Sequence, residues 1–297
     1  MNPWISRTLV AATVLVSGAG AAFMVLAEMG EHKLDRHIAV AVAPVPYRSD
    51  AAAIERGGYL FRSRGCGDCH GADGTGHVVI DHGRGMLVRS PDITPAPDGV
   101  VAAYRPEDWV RTIRHGVKRD GRPLMIMPSE EYNRFVDADL AAIVAYVRRL
   151  APGAGTRAEV RLPKAVKALY ALGVVRDASE KIDHSLPPAQ PVPEGITPAH
   201  GAYVANGCIG CHGPRLAGGK IPGAPPDWPA AAKLTPGPGS VLDRYASAEQ
   251  FLAMLKTGKR PDGSSVSPVM PFVSLKELSE VDVRALYLHL RSLPADS

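Results

Sequence analysis

The four cysteines of this 297-residue chain fall into two pairs, Cys66 with Cys69 and Cys208 with Cys211, and a histidine directly follows each pair, His70 and His212. CGDCH and CIGCH each place two thiols three residues apart with an imidazole next in line. That spacing suits a c-type haem: two sulfurs form thioethers with the former vinyl groups of the porphyrin, and the histidine lies beneath the iron. The pattern predicts two covalently bound haem c groups, with Cys66, Cys69, Cys208 and Cys211 as attachment points and His70 and His212 as proximal ligands. Zinc held by two CxxC pairs is the competing chemistry, but those pairs usually lie within tens of residues, and zinc gives no reason for a histidine after both. A thioredoxin-like CxxC needs a helix after it, where this chain has the glycine-rich loops GADGTG and GPRLAGG.

A haem iron that moves electrons takes a second axial ligand, commonly a methionine on a loop well downstream. Met270 qualifies in the second half, because Met254 is periodic with Phe251 and Leu255 on a helix. Its counterpart in the first half is Met127. Met125, two residues earlier, aligns with Pro268, which offers no ligand. Met127 and Met270 both precede proline, which biases them towards extended backbone suited to a strap across a haem face. His77, His82 and His115 could supply a bis-histidine site in the first half, but none has a histidine counterpart in the second. Met24, Met29, Met86 and Met254 read as core filling, and Tyr59, Tyr203, Trp109 and Phe251 as core or haem-pocket packing with no chemistry of their own.

The elements that must position these groups are repeated too. Ile93-Thr94-Pro95 matches Leu234-Thr235-Pro236, Tyr104 matches Tyr245, and Asp120-Gly121 matches Asp262-Gly263. Leu140, Ile143, Val144, Val147 and Leu150 match Val283, Leu286, Tyr287, Leu290 and Leu293 at one constant offset, so the chain reads as two copies of one unit. Each copy predicts three main helices. The first precedes the CxxCH motif, capped by Ser49 or Asp50 in one copy and started by Thr197-Pro198 in the other. The middle helix is PEDWVRTIRH or AEQFLAMLKT, the second with a Ser247–Gln250 capping box, and Gly116 and Gly258 stop them. The last helix carries the apolar face that begins at Leu140 or Val283.

Residues 152–196 differ in character. They hold KAVKALYAL, where Val166, Leu169 and Tyr170 could form a short apolar face, and end in the stiff LPPAQPVPEG. At the other end, TLVAATVLVSGAGAAFMVLA gives 20 residues without a charge, flanked by Arg7 and EMGEHKLDRH. It is long enough to span a bilayer. Ala19-Gly20-Ala21 resembles a signal-peptide cleavage site, but cutting there would leave FMVLA exposed, which favours retention as an anchor. Residues 1–30 therefore read as a transmembrane anchor or uncleaved signal, with the N-terminus cytoplasmic and the remainder outside. Net charge is only +4. Residues 51–150 carry 14 Lys or Arg against 13 Asp or Glu, which leaves no basic face of the kind nucleic-acid binding needs.

With these residues in view, both halves resemble class I cytochrome c domains: CGDCH and CIGCH are the haem motifs, and the IMP and VMP loops are the distal segments. The whole chain resembles the membrane-anchored dihaem cytochromes c of bacteria. The resemblance implies an all-α fold, with cytochrome c domains at 50–151 and 197–297 joined by a Pro-rich linker at 152–196. It implies His70 and Met127, and His212 and Met270, as the iron ligand pairs. By the same resemblance the protein is an electron carrier rather than an enzyme, periplasmic and tethered to the inner membrane. Its partners would be a dehydrogenase, a terminal oxidase or both. A haem enzyme with one open iron site is the alternative. The first copy departs from the family pattern in a polar insertion, HVVIDHGRGMLVRS, which could serve as a docking loop.

Overall fold

The computed structural model describes residues 3–83, 85–225 and 227–295. The chain opens with α1 (Pro3–Leu34), a 32-residue helix about 48 Å long at 1.5 Å per residue. It contains an apolar stretch, Arg7–Leu34, whose most apolar window has mean hydropathy 2.2 and is not buried by any of the described residues. Met24 and Met29, expected as core, lie exposed on this helix.

The first half follows as α2 (Ala51–Ser63), α3 (Cys66–His70), α4 (Pro106–His115), α5 (Ser129–Tyr132) and α6 (Asp137–Val147). After α7 (Lys164–Ala171) the second half runs α8 (Pro198–Ala205), α9 (Ile209–His212), α10 (Ala248–Thr257), α11 (Phe272–Leu275) and α12 (Glu280–Ser292). Helix ends follow local chemistry. Asp50 accepts from Ala53 N–H and Thr197 from His200 N–H, each satisfying a donor the helix leaves free. Gly116 and Gly258 terminate α4 and α10 at φ of 64° and 70°, a region open to glycine. The Ser247 box is shifted: Ser247 caps Gln250 N–H, but Gln250 reaches back to Ala246 N–H instead.

In each half the first helix crosses the last, α2 on α6 and α8 on α12. Gly57 and Gly201 make those crossings possible. A Cβ on Gly57 would lie 1.9 Å from the Ala142 carbonyl oxygen, and one on Gly201 2.0 Å from that of Ala285. Around the crossings lie two separate cores. One gathers Leu60, Phe61, Trp109, Leu140 and Val144; the other gathers Val204, Leu242, Phe251, Val283 and Leu290.

The expectation of an all-helical fold needs one addition. Part of the polar insertion forms a hairpin, β1 (Val78–Asp81) and β2 (Leu87–Arg89). The linker strand β3 (Glu159–Arg161) pairs antiparallel to β2, with Val88 opposite Val160 and Arg89 opposite Glu159. Arg89 and Glu159 form an ion pair of 2.8 Å across the ladder. Strands this short lie below what alternation in a sequence reveals, and β3 joins from about 70 residues downstream. The linker also packs α7 along the end of α1. There Lys33 donates to the Tyr170 carbonyl at 2.9 Å, and Arg36 bridges to buried Asp177 at 2.6 Å. Tyr170 is fully buried, whereas Leu169, assigned to the same face, is 41% exposed.

Candidate haem sites

Gly65 (φ 77°) turns the chain out of α2, and the next five residues wind into α3, which holds Cys66, Cys69 and His70 on a single turn. The end of that turn is fixed from outside: Gly76 N–H donates to the His70 carbonyl at 2.8 Å. His70 Nδ1 lies 3.1 Å from the Pro91 carbonyl oxygen. A carbonyl only accepts, so Nδ1 carries the proton and Nε2 keeps its lone pair for a metal. Burial lowers the His70 pKa, favouring the neutral form that ligation requires.

The second half repeats this arrangement. Gly218 N–H donates to the His212 carbonyl at 2.9 Å, and His212 Nδ1 lies 2.8 Å from the Ala232 carbonyl oxygen. Burial lowers the His212 pKa as well. One substitution stands out in the repeat. Leu216, at φ 57°, takes the place of Gly74, at φ 79°, and its backbone accepts from Leu234 N–H as Gly74 accepts from Ile93 N–H.

In the first half these groups surround a cavity of about 800 Å³, within the range of a cofactor pocket. Cys66, Cys69 and His70 lie on its wall together with Met127, Phe61 and Ile143. Met125 also reaches the wall, but its side chain belongs to the cluster with Leu162 and Tyr170, against the linker. Met127 packs instead against the core that holds Leu60 and Trp109. None of His77, His82 and His115 lines the cavity; His115 stacks on His184 with their Nδ1 atoms 3.0 Å apart. In the second half Cys208 and Met270 both pack against that half's core, with Cys211 and His212 on α9.

A porphyrin is an apolar disc with carboxylates on one edge, and the cavity can be tested against that description. Its wall includes Trp109, which is 4% exposed and whose indole N–H is buried without an acceptor. An orphaned donor of this kind costs free energy unless a ligand supplies an acceptor. Arg89, Lys118, Arg119 and Arg122 lie on the same wall with Glu31, Asp35, Asp120 and Glu159, and Arg122 is paired with Asp35 and Asp120, so the ionic groups there are balanced in sign. The residues fit a haem. Trp109 packs in this core as expected, and its indole N–H adds a donor that the matching Phe251 lacks.

Comparison with known proteins agrees with this chemistry. Residues 52–147 match the family described as cytochrome C oxidase, cbb3-type, subunit III. The chain is 28% identical over 281 residues to the fructose dehydrogenase cytochrome subunit of Gluconobacter japonicus, covering 85% of this chain and 55% of that protein. It is 29% identical to the alcohol dehydrogenase (quinone) cytochrome c subunit of Gluconobacter oxydans, covering 83% of this chain and 56% of the relative. The gluconate 2-dehydrogenase cytochrome c subunit of Pantoea cypripedii is 27% identical, with 84% and 61% covered. The chain thus spans a little over half the length of these relatives. Together the matches support a cytochrome c with covalently bound haem, and one helix, α1, is long and apolar enough to cross a membrane.

Proposed function

We propose that the protein is a two-haem electron relay, with residues 50–151 and 197–297 each forming one haem domain and residues 152–196 joining them. The observation that carries this reading is the presence of His70 and Met127 on one cavity wall beside both thiols of CGDCH; in the second half His212 lies on α9, and Met270 packs with Cys208 against the core. Bound haem supplies one-electron chemistry at an iron whose potential the methionine thioether raises. The chain's own contribution is to fix each imidazole by its Nδ1 hydrogen bond, to exclude water with the Leu60 and Leu290 cores, and to offer one histidine and one methionine that would hold each iron. So held, the metal would be closed to substrate, which sets this reading apart from haem catalysis.

Residues 1–30 serve as the anchor, with the N-terminus cytoplasmic and both haem domains in the periplasm. Glu31, Leu34 and Asp35, at the end of α1, line the first cavity, so the anchor holds that site close to the bilayer surface. Because the relatives are named as cytochrome subunits of dehydrogenases, the electron donor is inferred to be a dehydrogenase and the acceptor an oxidase or another respiratory carrier.

Spectroscopy on the mature, detergent-solubilised protein tests the assignment. Two low-spin haems, both with a methionine-to-iron charge-transfer band, are expected. Met127→Leu should remove the band of one haem and Met270→Leu that of the other, while Met125→Leu leaves both. Loss of a band in Met125→Leu, or a high-spin haem in the unaltered protein, rejects the assignment.

A further inference from the structure

Where the two halves meet, each completes the last helix of the other. Ser279 N–H, at the start of α12, donates to the Tyr59 hydroxyl at 3.1 Å, and Tyr59 donates onward to Asp282 at 2.5 Å. The converse is also present: Val136 N–H, at the start of α6, donates to the Tyr203 hydroxyl at 3.3 Å, and Tyr203 donates to Asp139 at 2.8 Å. Tyr59 comes from α2 and Tyr203 from α8, so each tyrosine crosses the seam to cap a helix it does not belong to. Within its own half each aspartate has a further partner. Arg56 binds Asp139 through two bonds, 2.9 and 3.1 Å, and His200 binds Asp282 at 2.7 Å. Burial alone would raise the Asp282 pKa, but Arg64 at 2.8 Å and the bonds from Tyr59 and His200 hold it below the ordinary carboxylate range.

The same reciprocity brings the haem motifs together. α5 follows Met127-Pro128 and packs on α9, where its Glu131 lies against Gly210 of CIGCH. α11 follows Met270-Pro271 and packs on α3, where its Ser274 lies beside Asp68 of CGDCH. Gly210 and Asp68 occupy the same position of the two motifs. Each half's methionine strap therefore runs straight into a turn that rests on the other half's CxxCH.

We propose that this seam is the internal electron route, and that Tyr59, Tyr203, Asp139 and Asp282 are positioning residues that hold the two motifs in register for it. The inference rests on the two-haem reading above. Bound haems would supply one-electron exchange, ferrous to ferric in one half and ferric to ferrous in the other, with no bond made and no proton moved. A fixed seam suits this step, because polar groups already paired need little rearrangement when charge crosses them.

The test is pulse radiolysis of the full-length holoprotein in detergent, following redistribution of an injected electron between the haems. In the unaltered protein redistribution should be independent of protein concentration. In the Tyr59→Phe/Tyr203→Phe double variant and in Asp282→Asn it should slow by about tenfold or more, since small misplacement of pre-organised partners is costly to rate. Haem stoichiometry and both methionine charge-transfer bands should stay intact in the double variant, which keeps both rings and guards against a misfolded Asp282→Asn. Unchanged rates in the double variant, or redistribution that scales with protein concentration, would overturn the proposal. Absence of two methionine-ligated haems in the unaltered protein would instead defeat the relay itself.

Discussion

Trp109 and Phe251 occupy one position in the two halves, and only the indole has a proton to give. Trp109 N–H is buried and has no acceptor among the described residues, so it would be free to donate to a carboxylate of a bound porphyrin. Trp109→Phe keeps an aromatic ring and deletes the donor, a loss of about 1.5–3 kcal/mol for a bond to a charged acceptor. The remaining negative charge favours ferric iron, so redox titration should show a lower potential for the first haem and no change in the second. Equal shifts at both haems would contradict the placement. The residues of the two motifs are legible in the sequence because covalent attachment demands cysteine and histidine at fixed spacing. The donor role of Trp109 is not, since packing and donation use the same side chain and only the cavity tells them apart. Tyr59 and Tyr203 escape for a related reason: a partner far away along the chain leaves no local pattern.

At the scale of elements, the crossings of α2 with α6 and of α8 with α12 set the frame on which both motifs hang. Gly57→Ala and Gly201→Ala each force a methyl onto a carbonyl oxygen, far inside van der Waals contact. Overpacking of this sort costs about 1–3 kcal/mol or more, and denaturant unfolding should show the loss at each site. Gly207, around which a methyl would meet nothing within 4 Å, is the control, and Gly207→Ala should be neutral or slightly stabilising. A result in which all three behave alike would remove the argument from close approach. These helices are readable from caps, glycine stops and a 3.6-residue period, and α4 and α10 fall where the sequence puts them. The hairpin and its β3 partner are not readable, because pairing between an insertion and a linker is decided by the fold that brings them side by side.

For the molecule as a whole, the seam makes stability depend on pH through Glu131. Burial pushes its pKa up to about 8, Glu130 adds repulsion, and Gly210 N–H and Lys181 oppose the rise. The folded protein therefore keeps a proton that the unfolded chain has released above the ordinary value of 4.5. Stability should fall as pH rises between those values and level off above the upper one. Thermal midpoints measured across about pH 5 to 9 should decline in the unaltered protein and decline less in Glu131→Gln; parallel curves would show that the carboxyl does not matter. The reciprocal caps also impose an order of events. If the N-terminal helix anchors the chain as proposed, export would begin from that end, and Asp139 would emerge before Tyr203 is outside to meet it. The earlier half would then wait, its last helix unfinished, until the later one arrives.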